Sequence, residues 1–599
     1  MTTDAEMPVA AAGPWNPGIL SQLPAELRPL CTVFRPENVF TSLSTATELQ
    51  LLTGLPATEL VAFRPQRLVL HEVLIRVTAD FSVPDGSRIE DLGINFREIT
   101  SLLIRRYLDA ELPAITAAFE RTRSSLAPAI HAAFATAGSS PVRAPGARSP
   151  LSRLLSPRRS KPPLSVAHLD WGLSHIAACE HAASTTADAL QAAAHRSLAR
   201  VLSALFVTHG GPWGTRDLIE SLATNLACNS YGSATLGDFI DPILRRAAQR
   251  EGHKLLPHQE WPVVINTKGP SASGKSTLRP LQRRLAGNIG VQWSDFALIS
   301  PDIWRKQLLD YGSLGPTYKY AGAFTADELQ IIDHKLDGYM ARKHERGDMS
   351  HLLIDRFRFD SFAPNSDEAG SNLLTRFGHT VYLFFMITPP ELLVERAWKR
   401  GLQVGRYKAV DDTLAHSVEA YAGLPALFFT WVRRTDKQIH FEFLDNNVQF
   451  GELPRDVAFG TNHTFNVLDV SGMLNVERFT RVNVDAHTPE SLYPDQSRLA
   501  PERNVGFLKR CVEQFREVNF ADQASGRIYL RMGSGTPLLV DQEALRNALT
   551  DADTGVALRI VAPSLFDVAV PTAERPLYLG AVDKGPATTL GQWGTAPRR

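Results

Sequence analysis

The sequence contains few cysteines, and none of them forms a motif. The four cysteines lie far apart, with no CxxC pair and no metal-ligand spacing, at Cys31, Cys179, Cys228 and Cys511. Disulfide scaffolds and zinc ribbons depend on closely spaced cysteines. The scarcity therefore argues against both classes and fits a reducing compartment.

The chain also lacks net charge and long apolar runs. Its 63 basic residues balance 63 acidic ones, so only a local patch would favour nucleic acid or a membrane surface. The apolar run at 380–388 is far shorter than the ~20 residues of a transmembrane helix. The N-terminus carries acids before any base and has no apolar signal segment. We expect a soluble, cytoplasmic protein without a membrane or nucleic-acid partner, and export to a host or target cell without a cleaved signal stays open.

The length allows several domains, because the chain has 599 residues of which 44% are hydrophobic. Residues 136–165 hold six prolines, six basic residues and no acid. This composition predicts a solvated linker, with an anion-binding arm as the alternative. The predicted organisation is an irregular lead-in at 1–40, an N-terminal α+β region at 41–135, the linker, a mostly helical region at 166–254, an α/β domain at 255–485 and a C-terminal α+β region with a loose tail at 486–599.

Hydrophobic patterns predict an α/β fold. The apolar run Arg67–Ser82 predicts a strand, whereas helical spacing predicts two helices across 88–134 and further helices across 166–250. Beyond residue 255 strands alternate with helices, which is typical of a parallel sheet. A helix is expected at Phe507–Val518 and a strand at Gly526–Met532. The core strands are predicted at Val263–Thr267, Ala297–Asp302, His351–Arg356, Thr380–Thr388 and His440–Leu444.

The most informative motif is GPSASGKS at residues 269–276, which matches GxxxxGK[ST] between an apolar strand and a helical stretch. The glycines let backbone N–H groups point at a phosphate, and the helix N-terminus adds positive potential. Lys275 is expected to reach the β- and γ-phosphates, and Ser276 to hold Mg²⁺. The motif predicts a nucleotide site formed by Gly269, Ser273, Gly274, Lys275 and Ser276.

Other motifs narrow the class of nucleotide-binding protein. The NKxD motif of GTPases is absent, and the third core strand ends in Asp355-Arg356 and not in the acidic pair of many ATPases. We expect Asp355 to lie near Mg²⁺, directly or through water. Small-molecule kinases need an acceptor-activating carboxylate and a lid that carries arginines.

Asp302 is the candidate for that carboxylate, because it follows the second core strand. The carboxyl ends of parallel strands open onto the ligand crevice, and Arg305 follows Asp302 by one helical turn. We predict that Asp302 is the general base, with a helix N-cap as the alternative.

The segment after the fourth core strand carries the arginines of a lid. Arg396 and Arg400 have i,i+4 spacing on one helix face, and Gly401 supplies hinge freedom before Arg406. Such arginines neutralise charge during phosphoryl transfer, so we predict catalytic roles for Arg396 and Arg400 and a nucleotide contact for Arg406. A solvated basic helix is the alternative. A loop predicted at Gly312–Gly322 is either an aromatic clamp for the acceptor or a surface turn.

These residues resemble the zeta-toxin-like branch of P-loop kinases. The resemblance covers about residues 260–435 and rests on GPSASGKST, SPDIWR and the arginine-bearing segment, with YKYAG and IDRFRFDSF as more specific stretches. Within this branch the chain looks most similar to type III effector kinases of plant-pathogenic bacteria, which phosphorylate the adenosine-ribose 3′-hydroxyl of NAD.

The resemblance implies a P-loop kinase domain at 255–485, in which Lys275, Ser276 and Thr277 serve ATP. It also implies Asp302 as the base and places Arg305 near the acceptor. Zeta toxins that act on UDP-N-acetylglucosamine usually end their third strand in a Glu-Gly-Thr type of sequence, from which Asp355-Arg356 departs. Such toxins and effectors also admit an antitoxin or a chaperone as a partner.

We therefore expect an ATP- and Mg²⁺-dependent kinase that acts on a hydroxyl of a nucleotide-like small molecule, NAD first and UDP-N-acetylglucosamine second. A polynucleotide 5′-kinase is a third variant, which the neutral charge disfavours. An ATP-binding interaction module without transfer activity is the alternative from another class. The intact Asp302–Arg305 pair favours catalysis.

Overall fold

The computed structural model describes residues 12–135, 166–211, 214–355, 374–449, 451–582 and 588–594. The linker predicted at 136–165 lies outside these residues, as do the first eleven residues of the predicted lead-in. Within 12–40 the regular structure consists of short 3₁₀ helices, Ala25–Leu30 and Thr32–Phe34. Among the described residues, no helix has the length and apolar character needed to cross a membrane.

A ten-stranded sheet with the order β10-β9-β8-β7-β6-β5-β4-β1-β3-β2 runs through the described part of the chain. Strands β2, β3, β1, β4 and β5 pair in parallel, and β5 then pairs antiparallel with β6. The C-terminal strands continue the same sheet with one parallel pair, β7 with β8. The strands are β1 (Val263–Lys268), β2 (Phe296–Ile299), β3 (His351–Asp355), β4 (Thr380–Ile387), β5 (Gln438–Asp445), β6 (Arg455–Thr461), β7 (Thr464–Val467), β8 (Glu517–Ala521), β9 (Ile528–Gly533) and β10 (Thr536–Val540).

The mixed α/β class predicted from the sequence is confirmed, and all five predicted core strands are strands. Every residue of β1 and β2 is buried, as expected for parallel strands covered on both faces. The second strand ends at Ile299 and not at the predicted Asp302. Pro301 has no N–H to donate to a ladder, and the chain turns there into the 3₁₀ helix Pro301–Trp304.

The N-terminal half of the chain is helical. The two helices predicted across 88–134 are present, and a π-helical segment, Ile104–Leu108, lies between them. The α-helices of this half are α1 (Leu43–Thr53), α2 (Pro65–Asp80), α3 (Asp91–Leu103), α4 (Leu112–Ala135), α5 (Val166–Thr185), α6 (Ala189–His209), α7 (Arg216–Ala227) and α8 (Ser233–Glu251).

The strand predicted at Arg67–Ser82 is wrong, because these residues belong to helix α2. Every side chain from His71 to Asp80 is buried, so the run lacks the polar face by which a helix is recognised in a sequence. Pro65 occupies the first turn of the helix, where an N–H is not needed.

Further helices flank the sheet after residue 278. The helix predicted at Phe507–Val518 is shorter than expected, because Glu517 already begins β8. The strand expected at Gly526–Met532 is confirmed as β9. The helices are α9 (Arg279–Asn288), α10 (Arg305–Leu308), α11 (Ala321–Phe324), α12 (Ala326–Glu345), α13 (Pro390–Val404), α14 (Val410–Val432), α15 (Val470–Arg478), α16 (Gly506–Gln514), α17 (Gln542–Ala548), α18 (Ala552–Val561), α19 (Ser564–Asp567) and α20 (Leu579–Val582).

One continuous cluster of buried apolar side chains joins the N-terminal helices, the parallel strands and the C-terminal strands. Helix α2 also makes polar contacts with the sheet side. Arg67 bonds both carboxylate oxygens of Glu328, at 2.5 and 2.6 Å, and the indole N–H of Trp304 donates to Thr78 Oγ1 at 3.1 Å. Helix α2 therefore supports the segment that follows β2.

Part of the tail that was predicted to be loose packs on the sheet. The backbone N–H groups of Leu590 and Gly591 donate to the buried carboxylate of Glu442 at 2.8 and 2.7 Å. The ring of Trp593 stacks on Phe459 with centroids 5.1 Å apart. Residues 588–594 thus contribute to the folded structure around β5 and β6.

Candidate active site

The segment 269–276 forms a tight turn between β1 and the helical residues that follow it. Gly269 and Gly274 have φ of 156° and 93°. A Cβ at Gly269 would lie 2.8 Å from the Cβ of Met386, and one at Gly274 would lie 2.4 Å from Asn446 Nδ2. Neighbouring elements therefore leave no room for side chains at these glycines. The chain continues into a 3₁₀ turn, Lys275–Leu278, and then into α9.

Two neighbouring strand ends hold this turn in place through the carbonyl of Ser273. Asn446 Nδ2 donates to that carbonyl at 2.7 Å, and Thr388 Oγ1 at 3.3 Å. Thr388 follows β4 and Asn446 follows β5, so both lie at the carboxyl edge of the sheet beside β1. Neither residue was among the predicted site residues, although Thr388 is the last residue of one predicted core strand and Asn446 lies two residues beyond the end of another. Thr277 adds a bond from Oγ1 to the carbonyl of Gly274 at 2.6 Å.

Lys275 folds back over the turn. Its ammonium donates to the carbonyl oxygens of Gly269 and Pro270 at 3.0 and 2.9 Å. Burial lowers the pKa of Lys275, and the carboxylates of Asp355 and Asp302 partly offset that effect. The cation is therefore poorly solvated, and it is positioned where an anion in the turn would contact it.

Ser276 and Asp355 meet at the end of β3. The hydroxyl of Ser276 donates to Asp355 Oδ2 at 2.7 Å. A hydroxyl and a single carboxylate suit Mg²⁺, which takes its remaining ligands from phosphates and water. Among the described residues no group of three or more His, Cys, Asp or Glu side chains could hold a metal by itself. The donor set therefore fits a nucleotide-bound Mg²⁺.

Asp302 lies in the 3₁₀ turn Pro301–Trp304 between two arginines. Arg305 Nε donates to its Oδ1 at 3.0 Å, and Arg406 Nη2 donates to its Oδ2 at 2.5 Å. The N-cap of this turn is Ser300, so the structure does not give Asp302 the N-cap position that was the alternative. The side chain keeps 43% of its surface exposed. Desolvation opposes ionisation, yet Arg406 and Arg305 hold the pKa of Asp302 well below its usual range.

A second guanidinium nitrogen of Arg305 bonds the segment that follows. Its Nη1 donates to the carbonyl of Gly322 at 2.7 Å and to Thr325 Oγ1 at 2.8 Å. The loop expected at Gly312–Gly322 is instead helical, with 3₁₀ turns over Tyr311–Tyr320 that kink at Gly315, followed by α11.

Arg400 connects the Asp302 cluster to the turn at 269–276. Its Nη1 donates to Ser271 Oγ at 3.5 Å, and its Nε donates to the carbonyl of Arg406 at 3.4 Å. Burial, together with repulsion from Arg406, lowers the pKa of Arg400 to about 9. Such a desolvated guanidinium is favourable only near an anion, which Asp302 supplies in part.

The structure does not bring Arg396 to the same place, although it shares helix α13 with Arg400. Arg396 Nη2 donates to the carbonyls of Asn446 and Val448, at 2.9 and 3.2 Å. It therefore holds the loop after β5, whose Asn446 side chain supports the 269–276 turn. These contacts indicate a positioning role for Arg396, in place of the predicted catalytic one.

Aromatic side chains form one wall beside these arginines. The rings of Tyr318 and Tyr407 meet edge to face with centroids 5.8 Å apart, and Trp398 packs on Tyr407 at 5.5 Å. A Cβ at Gly401 would lie 2.4 Å from the Tyr407 ring, so this glycine serves close packing as well as any hinge. Tyr318 remains 37% exposed.

A scan against models of protein families finds no match to this chain, and a search of curated proteins finds none either. Residues 356–362 of the IDRFRFDSF stretch lie outside the described part of the chain.

Proposed function

We propose that the chain is an ATP- and Mg²⁺-dependent kinase with a P-loop core at 255–485, which transfers the γ-phosphoryl group of ATP to a hydroxyl. One observation carries the proposal: Arg400 contacts both the 269–276 turn, through Ser271, and the segment of Arg406, which in turn is paired with Asp302. Phosphate-binding turn, arginines and carboxylate thus form one connected cluster, as phosphoryl transfer requires.

The proposed reaction is a direct in-line displacement. The acceptor oxygen forms a bond to the γ-phosphorus while the bond from that phosphorus to the bridging oxygen of ADP breaks. Asp302 takes the proton of the acceptor hydroxyl. Lys275 and Arg400 neutralise the negative charge on the transferred group. Mg²⁺, held by Ser276 and Asp355 with the phosphates, supplies further charge stabilisation when bound.

The ion pair of Arg406 with Asp302 sets a condition on this reaction. Because Arg406 depresses the pKa of Asp302, the carboxylate is a weak proton acceptor while the pair is intact. The phosphates of ATP compete for Arg406. Each contact that Arg406 makes with them raises the pKa of Asp302 and strengthens it as a base.

The acceptor class follows from the resemblance to effector kinases and zeta toxins. The 3′-hydroxyl of the adenosine ribose of NAD is the first candidate, and UDP-N-acetylglucosamine is the second. The exposed ring of Tyr318 beside the arginines is compatible with a planar base in either compound.

A mass-resolved assay tests the proposal. The protein, Mg²⁺ and ATP are incubated with NAD, with UDP-N-acetylglucosamine and with a metabolite extract, in parallel with Lys275→Ala and Asp302→Asn. A product heavier by one phosphoryl group that is absent with both variants is the expected result. The matched control is Arg121→Ala, which removes an exposed arginine of α4 and should leave the product unchanged.

The depressed pKa of Asp302 also favours a second candidate, an ATP-binding interaction module in which the arginine pair never opens. In that case ATP binds to the protein, Lys275→Ala abolishes binding, and no metabolite gains mass. That result would contradict the kinase proposal and leave nucleotide binding intact.

A further inference from the structure

An open groove of about 470 Å³ lies between helix α3 of the N-terminal region and helix α10, which follows Asp302. Arg97 of α3 and Arg105 of the π-helical segment that follows α3 line one side, and Lys306 and Gln307 of α10 line the other. The groove combines residues more than 200 positions apart in sequence, so no motif reveals it.

The groove is positively charged. Arg97, Arg105 and Lys306 face one carboxylate, that of Glu98. Arg97 is half-buried, and the structure gives its guanidinium no hydrogen bond or ion pair to another described residue. Burial lowers the pKa of Arg97, and Glu98 offsets this only in part. A guanidinium that has lost water without gaining a partner is suited to binding an anion.

Lys306 shows the same lack of an ion pair within the described residues. Its ammonium lies 5.8 Å from the centre of the Tyr311 ring, on which it makes a cation–π contact. This contact is weak compared with a charge-assisted hydrogen bond. An anion in the groove would therefore be a better partner for Lys306.

The groove adjoins the proposed reaction site. Lys306 follows Asp302 by one helical turn, and Gly93 of α3 packs beside Ile303, with 3.8 Å from a Cβ at Gly93 to that of Ile303. Tyr311, which Lys306 contacts, lies within the electrostatic reach of Arg305, Arg406 and Asp302. Lys306 therefore connects the groove to the turn that carries Asp302.

We propose that this groove is an anion subsite that binds a phosphate or diphosphate group of the acceptor, away from the hydroxyl that reacts. This inference rests on the proposed kinase function only in identifying the ligand as the acceptor. Anion binding by the groove does not itself depend on phosphoryl transfer. Arginine binds phosphate oxygens through paired N–H groups, and Lys306 adds a point charge. The N-terminal helical region would thereby complete the substrate site of the α/β domain.

The test is equilibrium dialysis of the full chain against radiolabelled pyrophosphate. Mg²⁺ is in excess, and a non-hydrolysable ATP analogue saturates the 269–276 turn. We expect Arg97→Ala and Lys306→Ala each to weaken pyrophosphate binding by about tenfold or more, the loss of one charge-assisted contact. Arg97→Lys should restore part of the affinity. Arg121→Ala, at an exposed position of α4, should bind like the wild type.

Two results would overturn the proposal: no pyrophosphate binding to the wild type, or equal binding to wild type and Arg97→Ala. Thermal unfolding of each variant shows whether a loss of binding reflects misfolding, and Arg97→Lys covers the case in which Arg97→Ala is unstable. The outcomes also separate the two proposals. Pyrophosphate binding without any phosphoryl transfer to metabolites would support the anion subsite and contradict the kinase function. Phosphoryl transfer with pyrophosphate binding that is unaffected by Arg97→Ala would support the kinase function and contradict the anion subsite.

Discussion

Two carboxylates, Glu328 and Asp302, are each bonded by two basic side chains, and they differ in what surrounds them. Glu328 is fully enclosed between α2 and α12, where Arg67 and His71 bond it at 2.5 and 2.7 Å. Asp302 is bonded by Arg406 and Arg305 at 2.5 and 3.0 Å, yet its side chain stays 43% exposed. Both carboxyl groups have a pKa well below the usual range in spite of desolvation, through Arg67 in one case and Arg406 in the other.

The comparison shows that a shifted pKa does not by itself mark a reaction site. In the enclosed cluster every neighbour of Glu328 belongs to a fixed element, and rearrangement would leave a charge buried and unpaired. In the open cluster a ligand can take over the partners of the carboxylate. We therefore expect the Glu328 cluster to contribute stability and the Asp302 cluster to take part in the proposed reaction.

The sharpest test replaces Asp302 by Asn. We expect turnover to fall by about 10²–10⁴-fold, because the general base is lost, while the free energy of unfolding changes by less than about 1 kcal/mol, as for other exposed ion pairs. Steady-state kinetics and urea unfolding measure the two effects. An unchanged rate would remove Asp302 from the mechanism.

The mirror-image test replaces Glu328 by Gln. Arg67 then stays buried without its counter-charge, and we expect the free energy of unfolding to fall by about 3–5 kcal/mol. Glu59→Gln is the matched control, because its pair with Arg200 is partly exposed and contributes at most about 1 kcal/mol. Equal effects of the two substitutions in urea unfolding would show that enclosure does not distinguish the clusters.

Removing Arg406 tests whether this arginine controls the pKa of Asp302 and contributes to turnover. Arg406→Ala should lower turnover by about 10²–10³-fold, the usual loss for one group that stabilises charge in the transition state. It should also raise the pKa of Asp302, since Arg406 holds that pKa down. The acidic limb of the pH profile of kcat/KM, measured on the residual activity, should therefore move to higher pH. Arg434→Ala, which breaks an exposed pair with Asp436, is the control.

The smallest effect concerns His71 in the enclosed cluster. Burial and the nearby Lys335 lower the pKa of His71 to about 3, despite its bond to Glu328. Below pH 6.5 the unfolded chain therefore binds a proton that the folded chain does not, and stability falls on acidification. Between pH 6.5 and 5 we expect this group to cost about 2 kcal/mol. His71→Gln should remove that part of the pH dependence in urea unfolding, and parallel curves would contradict the assignment.

Motifs and strand patterns predicted much of the core, because local signals determine them. Strand β4 is an almost unbroken run of buried apolar residues and β1 begins with another, and the 269–276 turn needs glycines where its neighbours approach closely. The same reasoning explains the failure at helix α2. Its residues are buried on all sides, so neither period is visible and only the tertiary contacts decide.

The parts that sequence could not supply depend on contacts between distant segments. The i,i+4 spacing predicts the same role for Arg396 and Arg400. Only their contacts, with the carbonyl of Asn446 and the hydroxyl of Ser271 respectively, distinguish them. Arg97 belongs to no motif. It becomes a candidate anion ligand only because α3 lies against α10, which follows Asp302. Side-chain partners across the sheet edge are therefore the information that a linear pattern lacks.

The bonds of the Glu442 carboxylate bear on the order in which the chain folds during synthesis. Glu442 lies on β5, beside β4, and receives N–H groups from Leu590 and Gly591. A nascent chain that has emerged only as far as β5 carries this buried acid without those donors. These two bonds to β5 can form only after residue 591 has been translated. If the proposed nucleotide site depends on β5 in this way, we expect its affinity to arise late in synthesis and not when the core strands first emerge.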